Sequence, residues 1–290
     1  MPGFAHPEYL VDTAWLAAHL DDPGVVVLDA TTHLIPAPGA GYTVQSGRAD
    51  FEQGHIPGAQ YVDLQADLSE PGHEFRFMLP GPERFAASMA RLGVGDASRV
   101  ILYSTANAWW ATRVWWLLRV FGHDNAAVLD GGFQKWTAEH RPVETGPGKP
   151  RDPARFTARP PRPLMAGKEE VLAAVNNNAV CTINALRPEQ HTGTGGVHYG
   201  RPGRIAGSVN VAASQLVDPA TNAFLPAEEL RAKFAAVGAL DRPVITYCGG
   251  GIAASADALV LTMLGHKDVK LYDASLSEWV KDPSLPMEVG

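Results

Sequence analysis

The chain has 290 residues, of which 46% are hydrophobic and 19% charged, and its formal net charge is −7. This composition indicates a globular protein long enough for two ordinary domains, and the negative charge, without any Lys/Arg run, argues against nucleic acid as a partner. The sequence shows no secretory signal and no apolar stretch of membrane length, and two cysteines are too few for a disulfide framework, so we expect a cytoplasmic protein.

Short apolar strands alternate with helical stretches along the chain. The predicted strands are, in chain order, residues 25–29, 100–103, 126–129, 180–183, 244–247 and 269–272. Fully apolar strands that alternate with helices are typical of a mostly parallel sheet with helices on both faces. The sequence therefore predicts the α/β class, with functional sites at the carboxyl ends of the strands.

The same series of elements occurs twice, at nearly constant spacing. The matching segments are 54–59 with 203–208, 100–104 with 244–248, 121–123 with 264–266, and 129–136 with 272–279. This spacing is far longer than the period of a solenoid repeat, which indicates that each copy is a whole domain. We expect an N-terminal domain at 1–143, an ordered linker at 144–163 that is rich in proline, glycine and basic residues, and a C-terminal domain at 164–290.

Cys248 lies where the apolar strand 244–247 meets three glycines and an Ala/Leu-rich helical stretch at 253–264. In such a turn, free backbone N–H groups and the positive end of a helix dipole lower the pKa of a thiol and favour the nucleophilic thiolate. The predicted N–H donors to the sulfur and to any anion it carries are those of Gly249, Gly250, Gly251, Ile252, Ala253 and Ala254. By contrast, Cys181 lies inside a predicted strand, and we expect it to be a core residue.

Further motifs are distributed over both copies. They are Gly54-His55-Ile56-Pro57-Gly58-Ala59, its degenerate copy at 203–208, Met78-Leu79-Pro80-Gly81, Arg113-Val114-Trp115-Trp116, Leu129-Asp130-Gly131-Gly132, and Tyr272-Asp273 with Glu278-Trp279. With these motifs, nearly the whole chain resembles the tandem-domain rhodanese family, the thiosulfate and 3-mercaptopyruvate sulfurtransferases. The loop that begins at Cys248 is closer to that of the mercaptopyruvate enzymes.

The resemblance implies two rhodanese-like domains, of which the N-terminal one is catalytically silent, in keeping with Ser104 at the position of Cys248. It also implies that Cys248 takes a sulfane sulfur from thiosulfate or 3-mercaptopyruvate, becomes a persulfide, and passes the sulfur to cyanide or a thiol. This double displacement involves small-molecule partners and needs neither a metal nor an organic cofactor.

The chain departs from the family at two positions where substrate arginines are usual. Leu186 and Thr192 stand there instead. Arg187, Arg201 and Arg204 lie nearby in the sequence, and they are the candidates to supply positive charge for the substrate anion.

Two other functions deserve comparison. Phosphatases and arsenate reductases of related topology also use a reactive cysteine, but phosphatases need an arginine six residues after it, and Ala254 occupies that position. A sulfur-relay or binding module that a protein donor loads stays open as an alternative, because loss of the arginines removes small-anion recognition while the thiolate remains.

The tryptophans of the stretch 109–116 are expected to form helix core or an interface between the domains. Either Trp109 or Trp110 is a candidate for the wall of the pocket. Since ligand sites often lie between domains, we predict that the pocket of Cys248 does so here.

Other conspicuous polar residues have structural interpretations. We expect His55 to order its own loop, and we expect His191 and His198, in a polar Gly/Thr loop, to lie at the surface. Asp130 and Asp273 each follow an apolar strand, which predicts that they cap the next helix or tie loops together.

Overall fold

The computed structural model describes residues 3–38, 41–175 and 177–290. The strands are β1 (Leu10–Val11), β2 (Val25–Asp29), β3 (Thr32–Pro36), β4 (Tyr42–Ser46), β5 (Gln60–Tyr61), β6 (Arg99–Tyr103), β7 (Ala126–Leu129), β8 (Met165–Ala166), β9 (Cys181–Asn184), β10 (Arg204–Ile205), β11 (Val209–Asn210), β12 (Val244–Tyr247), β13 (Val269–Tyr272) and β14 (Met287–Glu288). The α-helices are α1 (Thr13–Ala18), α2 (Arg48–Gln53), α3 (Leu64–Asp67), α4 (Pro82–Arg91), α5 (Trp109–Val120), α6 (Gly132–Ala138), α7 (Lys168–Ala174), α8 (Pro188–Thr192), α9 (Ala227–Ala236), α10 (Ala254–Met263) and α11 (Ser275–Trp279), and short 3-10 helices cover Pro7–Tyr9 and Ala213–Gln215.

Each half of the chain forms one parallel sheet. The strand order is β1-β7-β6-β2-β5 in the N-terminal half and β8-β13-β12-β9-β11 in the C-terminal half, and all neighbours within these sheets are parallel. Strands at equivalent places in the repeat take equivalent places in the two sheets, with β6 and β12 in the centre. The predicted α/β fold is confirmed, and the six predicted strands agree with the structure to within one residue at each end.

Helices α5 and α10 join the two halves by packing against each other. They follow the central strands β6 and β12, and the Ala/Leu-rich α10 is buried along its whole length. At their contact, the hydroxyl oxygens of Thr112 and Ser255 lie 2.6 Å apart in a hydrogen bond. The tryptophan-rich stretch is therefore helix core and interface, as expected. Within the described residues, no helix has the combination of length and apolar character that crossing a membrane requires.

Residues 144–163 run over the surface of the N-terminal half without forming a helix or a strand. The N–H of Arg159 donates to the backbone oxygen of Phe121 at 3.0 Å, and the guanidinium of Arg162 makes two hydrogen bonds of 2.7 Å to Asp124. These contacts order the segment against the first copy of the repeat.

Two small antiparallel sheets complete the fold. Strands β3 and β4 form a hairpin outside the N-terminal parallel sheet. Strand β14 pairs with β10 and so brings the last residues of the chain against the second copy of the Gly-His-Ile-Pro motif.

Candidate active site

Cys248 follows β12 directly, at the carboxyl edge of the C-terminal sheet. The residue is only 2% exposed, but it lines a cavity of about 880 Å³ between the two halves. Cys181, in β9, is equally buried, does not line this cavity, and donates its Sγ–H to the backbone oxygen of Val237 at 3.8 Å. Cys181 is thus confirmed as a core residue, and access to the cavity distinguishes Cys248 from it.

Both halves form the wall of this cavity. The N-terminal half contributes β3, residues 74–77 and the start of α5, and the C-terminal half contributes the Cys248 loop and residues between β9 and Tyr199. Trp109 and Trp110 both line it. The predicted position of the pocket between the halves, with a tryptophan wall, is confirmed.

The start of α11 holds the Cys248 loop from behind. The backbone N–H groups of Leu276 and Ser277 donate to the backbone oxygens of Cys248 and Gly249, at 3.1 and 2.9 Å. In a trans peptide the C=O and N–H point in opposite directions, so the N–H groups of Gly249 and Gly250 point away from α11. Both glycines line the cavity, and no acceptor among the described residues takes either N–H. These two amides are available to an anion.

Ser275, which the sequence did not single out, ties the same loop to the end of β13. Its Oγ accepts from the N–H groups of Cys248 and Gly251, at 3.1 and 3.2 Å, and donates to the backbone oxygen of Tyr272 at 2.7 Å. The N–H of Gly251 is therefore already used, which corrects the expectation that it binds an anion.

The remaining predicted donors lie at the start of α10. In the part of the chain that the structure describes, the N–H groups of Ile252 and Ala253 have no acceptor, and both residues line the cavity. Ala254 is the first residue of α10 and is fully buried. This is the position where a phosphatase needs its arginine, and a buried methyl group offers no cation there.

Of the three candidate arginines, the structure brings only Arg187 to the cavity, where it is exposed. The guanidinium of Arg201 donates to three backbone oxygens of residues 279–285, at and after the end of α11, at distances of 2.9 to 3.2 Å. Arg204 pairs with Glu288 at 3.2 Å and also donates to the backbone oxygen of Gly290. Because the C-terminal segment engages both, the expectation that Arg201 and Arg204 bind substrate is corrected.

Two other cations line the cavity, and sequence reasoning missed both. Arg76 is exposed. Lys281 forms an ion pair with Glu74 of the other half, and its Nζ lies 4.8 Å from the ring centre of Phe75. Arg76 stands next to the Phe77-Met78-Leu79-Pro80 segment, so proximity to that motif was the only available signal.

Tyr199 is a further missed residue. It packs so closely on Gly249 that a Cβ added to that glycine would lie 1.9 Å from Cζ of Tyr199. Burial raises the pKa of Tyr199 well above its usual value, and the nearby Cys248 and Tyr42 raise it further. Tyr199 therefore remains a neutral O–H donor beside Cys248. The adjacent His198 accepts the N–H of Gly41 on its backbone oxygen at 2.8 Å, which joins the two halves over the cavity.

A buried ion pair fixes the turn behind the Cys248 loop. Arg113, on α5, is fully buried and lies 2.7 Å from Oδ1 of Asp273, at the end of β13. Oδ2 of Asp273 accepts the N–H of Leu79 at 2.7 Å. At the equivalent place in the first copy, Asp130 accepts the N–H of Phe224 at 2.8 Å, and burial raises the pKa of Asp130. Both aspartates tie loops of opposite halves, as predicted.

The interpretations of His55 and His198 hold, whereas His191 lies in α8 and is half-buried rather than at the surface of a loop. His55 is fully buried, donates from Nδ1 to the backbone oxygen of Phe51 at 2.8 Å, and stacks on the aromatic ring of Phe51. His198 is exposed and His191 half-buried, and neither lines the cavity of Cys248. Burial, helped by Arg204, lowers the pKa of His191 to about 4. Across residues 3–38, 41–175 and 177–290, no group of three or more His, Cys, Asp or Glu side chains is arranged to hold a metal ion.

The family model of the Rhodanese-like domain matches residues 12–139 and again residues 168–282. This chain belongs to the rhodanese family. Among the relatives of this rhodanese, the 3-mercaptopyruvate sulfurtransferase of Escherichia coli is 33% identical, over 97% of this chain and 98% of that protein. The sulfur carrier protein TtuD of Thermus thermophilus is 32% identical, over 99% of both chains.

The crystal structure of SseA from Escherichia coli, a 3-mercaptopyruvate sulfotransferase, has a TM-score of 0.77 to this rhodanese. It is 32% identical in sequence, and the match covers 92% of this chain and 98% of SseA. Full-length similarity to such enzymes confirms the class of activity: this rhodanese is a sulfurtransferase.

Proposed function

We propose that this sulfurtransferase moves a sulfane sulfur from thiosulfate or 3-mercaptopyruvate to cyanide or a thiol, through a persulfide on Cys248. The observation that supports this best is the set of N–H groups beside Cys248 that have no acceptor among the described residues, above all those of Gly249 and Gly250, in a cavity that both halves line. A thiolate and the negative sulfur it acquires both gain from such donors.

In the first half-reaction the Cys248 thiolate attacks the sulfur that is to be transferred, which is the outer sulfur of thiosulfate or the thiol sulfur of 3-mercaptopyruvate. A new S–S bond forms, and the bond from the transferred sulfur to the rest of the donor breaks. The leaving group keeps the electron pair and departs as sulfite from thiosulfate, or as the enolate that becomes pyruvate on protonation. In the second half-reaction the acceptor attacks the terminal sulfur, and Cys248 leaves as thiolate.

Several groups around Cys248 have roles in this proposal. The loop N–H groups hold the negative terminal sulfur, and one donor of this kind contributes on the order of 3 kcal/mol. Tyr199, which packs on Gly249, supplies a neutral O–H near Cys248, because its pKa is raised. Arg187 attracts the anionic group of the donor, since it is the candidate arginine that lines the cavity.

We also propose that the N-terminal domain, residues 1–143, is catalytically silent, and that catalysis belongs to the C-terminal domain, residues 164–290, beyond the linker 144–163. Ser104 is buried at the end of β6, where Cys248 stands in the second copy. A serine hydroxyl does not form a persulfide.

A sulfur-relay module loaded by a protein donor is the second candidate. The absence of arginine at Leu186 and Thr192 favours it, as does the engagement of Arg201 and Arg204 by the C-terminal segment. Full-length similarity to a protein named as a sulfur carrier also favours it.

Intact-mass analysis after incubation with each donor tests the proposal. We expect thiosulfate or 3-mercaptopyruvate to add one sulfur atom to the wild type and to Cys181→Ser, and to add nothing to Cys248→Ser. If neither small donor loads Cys248 but a cysteine desulfurase does, the relay module is the correct function. If Cys248 is loaded by none of these, both functions are wrong.

A further inference from the structure

Strand β3 borders the cavity of Cys248 along its edge. All five of its residues, from Thr32 to Pro36, line the cavity, whereas Tyr42 is the only contributor from its partner strand β4. Successive side chains of a strand point to opposite faces, so five consecutive residues line one cavity when the edge of the strand faces it. The cavity therefore runs along the side of β3 that is not paired with β4.

The hairpin's hydrogen bonds identify which backbone groups face outward. At its two ends, Gly47 donates to the backbone oxygen of Thr31 at 3.2 Å, and the N–H of Ala37 donates to that of Gly41 at 3.1 Å. Positions along an antiparallel pair alternate between inward and outward hydrogen bonding. Residues 33 and 35 of β3 therefore pair with β4, and residues 32, 34 and 36 present their backbone groups to the cavity.

These outward groups form a short docking edge. It offers the N–H groups of Thr32 and Leu34 and the backbone oxygens of Thr32, Leu34 and Pro36, and none of them has a backbone partner among the described residues. Unpaired edges of this kind accept an extended peptide as an added strand. Five residues of strand span about 17 Å, which is the length of a peptide rather than of a small donor.

The size and charge of the cavity agree with such an occupant. A volume of about 880 Å³ holds roughly thirty water molecules at ~30 Å³ each, so thiosulfate fills only a small part of it. Lys281 and Glu74 neutralise each other, while Arg76 and Arg187 are exposed and have no ion-pair partner in the described part of the chain. Among the described residues that line the cavity, these two unpaired cations outnumber the one unpaired carboxylate, Glu189, and this balance favours an acidic segment.

We propose that the β3 edge binds an extended, acidic segment of a partner protein as an added strand and presents that segment's cysteine to Cys248 as the sulfur acceptor. This inference rests on the proposed function and names its acceptor. The partner's thiol gives its proton to the terminal sulfur of the Cys248 persulfide, the resulting thiolate attacks that sulfur, and a new S–S bond forms on the partner. The old S–S bond breaks, Cys248 leaves as thiolate with the electron pair, and the proton stays on the transferred sulfur.

The first test compares a peptide thiol with a small thiol. The probes are a Glu-, Thr- and Val-rich octapeptide with one cysteine, and N-acetylcysteine, each given to the persulfidated protein. We expect kcat/KM for the peptide to exceed that for N-acetylcysteine at least about tenfold. Leu34→Pro removes an outward N–H group but no hydrogen bond to β4, and edge strands tolerate proline at such positions. This substitution should therefore bring the ratio of the two kcat/KM values close to one. Leu34→Val keeps the N–H and should keep the ratio.

The second test does not depend on sulfur chemistry. Residue-resolved amide hydrogen exchange is measured on Cys248→Ser with the cysteine-to-serine version of the octapeptide at millimolar concentration. On addition of the peptide, exchange of the N–H groups of Thr32 and Leu34 should slow at least about tenfold. In the Leu34→Pro variant, exchange at Thr32 should not slow. Unchanged exchange at β3, or a peptide preference that survives in Leu34→Pro, overturns the docking edge. Failure of every donor to load Cys248 overturns the proposed function instead, and the exchange result still decides the docking edge.

Discussion

The loop after β6 and the loop after β12 occupy equivalent places in the two halves, and each leads into a helix of the interface. They are anchored in the same way. Phe133 donates its N–H to the backbone oxygen of Ser104 at 3.3 Å, as Leu276 donates to that of Cys248 at 3.1 Å. The backbone scaffold that holds Cys248 is therefore present in both copies.

The two loops differ in what their next amides bind. In the N-terminal half, the N–H of Thr105 donates to the hydroxyl of Thr31 at 2.8 Å, and that of Ala106 donates to Oγ of Ser104 at 3.1 Å. The two glycines after Cys248 have no such acceptor among the described residues. The same turn therefore leaves two amides open where side-chain acceptors are absent among the described residues, without any change of fold.

Substitutions at Cys248 and Ser104, which follow the central strands β12 and β6, are expected to have the largest effect on activity. Cys248→Ser should lower kcat/KM about 10³-fold or more, because no persulfide forms. Adding Ser104→Cys to this variant should not restore a persulfide, since Thr31 still holds the N–H of Thr105 and residue 104 does not line the cavity of Cys248. Intact mass and steady-state turnover measure both, with Cys181→Ser as the control of unchanged activity. A persulfide on residue 104 would show that the amides do not decide reactivity.

The equivalent aspartates should differ in their contribution to stability. Asp273→Ala leaves Arg113 buried without its partner, which costs roughly 3–5 kcal/mol in the free energy of unfolding. Asp130 accepts a backbone N–H and has no ion-pair partner in the described residues, so Asp130→Ala should cost only about 1–2 kcal/mol. Urea unfolding of both variants measures the difference, and equal losses would contradict the importance of the ion pair.

The ends of β2 and β9 differ in charge, with Asp29 in one copy and Asn184 in the other. Burial raises the pKa of Asp29 to about 6 from 3.8, so the folded state holds this proton more tightly than the unfolded state does. The stabilising effect of protonation is present at low pH and is lost as pH rises through about 6. Asp29→Asn should therefore gain stability relative to wild type between pH 4 and 7, by on the order of 3 kcal/mol.

Urea midpoints of wild type and Asp29→Asn across that pH range measure this gain. The exposed Asp22→Asn is the control and should show no comparable trend. A difference between wild type and Asp29→Asn that does not change with pH would mean that Asp29 is ionised throughout.

The glycines after Cys248 should respond unequally to a methyl group. Gly249→Ala places its Cβ against the ring of Tyr199, and such overpacking costs roughly 1–3 kcal/mol while it displaces the loop and lowers kcat/KM. At Gly250 the nearest atom to an added Cβ is Oγ of Ser277, at 3.7 Å, so Gly250→Ala should be tolerated. Turnover and urea unfolding check both variants. Adding Tyr199→Ala should restore the stability of Gly249→Ala, and failure to do so would contradict the contact.

Much of the fold could be predicted because its signals are local. Runs such as 244–247, with β-branched and aromatic residues between turn signals, specify a buried strand without reference to the rest of the chain. The place of Cys248 follows from the same strand–turn–helix order. The roles of Arg201 and Arg204 could not be predicted, because both depend on contacts with distant segments. Arg204 contacts the last residues of the chain, which return to β10, and Arg201 contacts residues 279–285, at and after the end of α11.

The sequence by itself determined the repeat, the parallel sheets and the cysteine at the end of a strand, because each depends on residues close together in the chain. Only the tertiary structure decided which amides of the Cys248 loop have no acceptor. The groups that bind this loop belong to Ser275 and the rest of α11, which follow β13 in the sequence. It also brought β3, Arg76 and Tyr199 to one cavity from separate segments. Contacts between distant segments depend on how two whole sheets pack, and no local pattern records them.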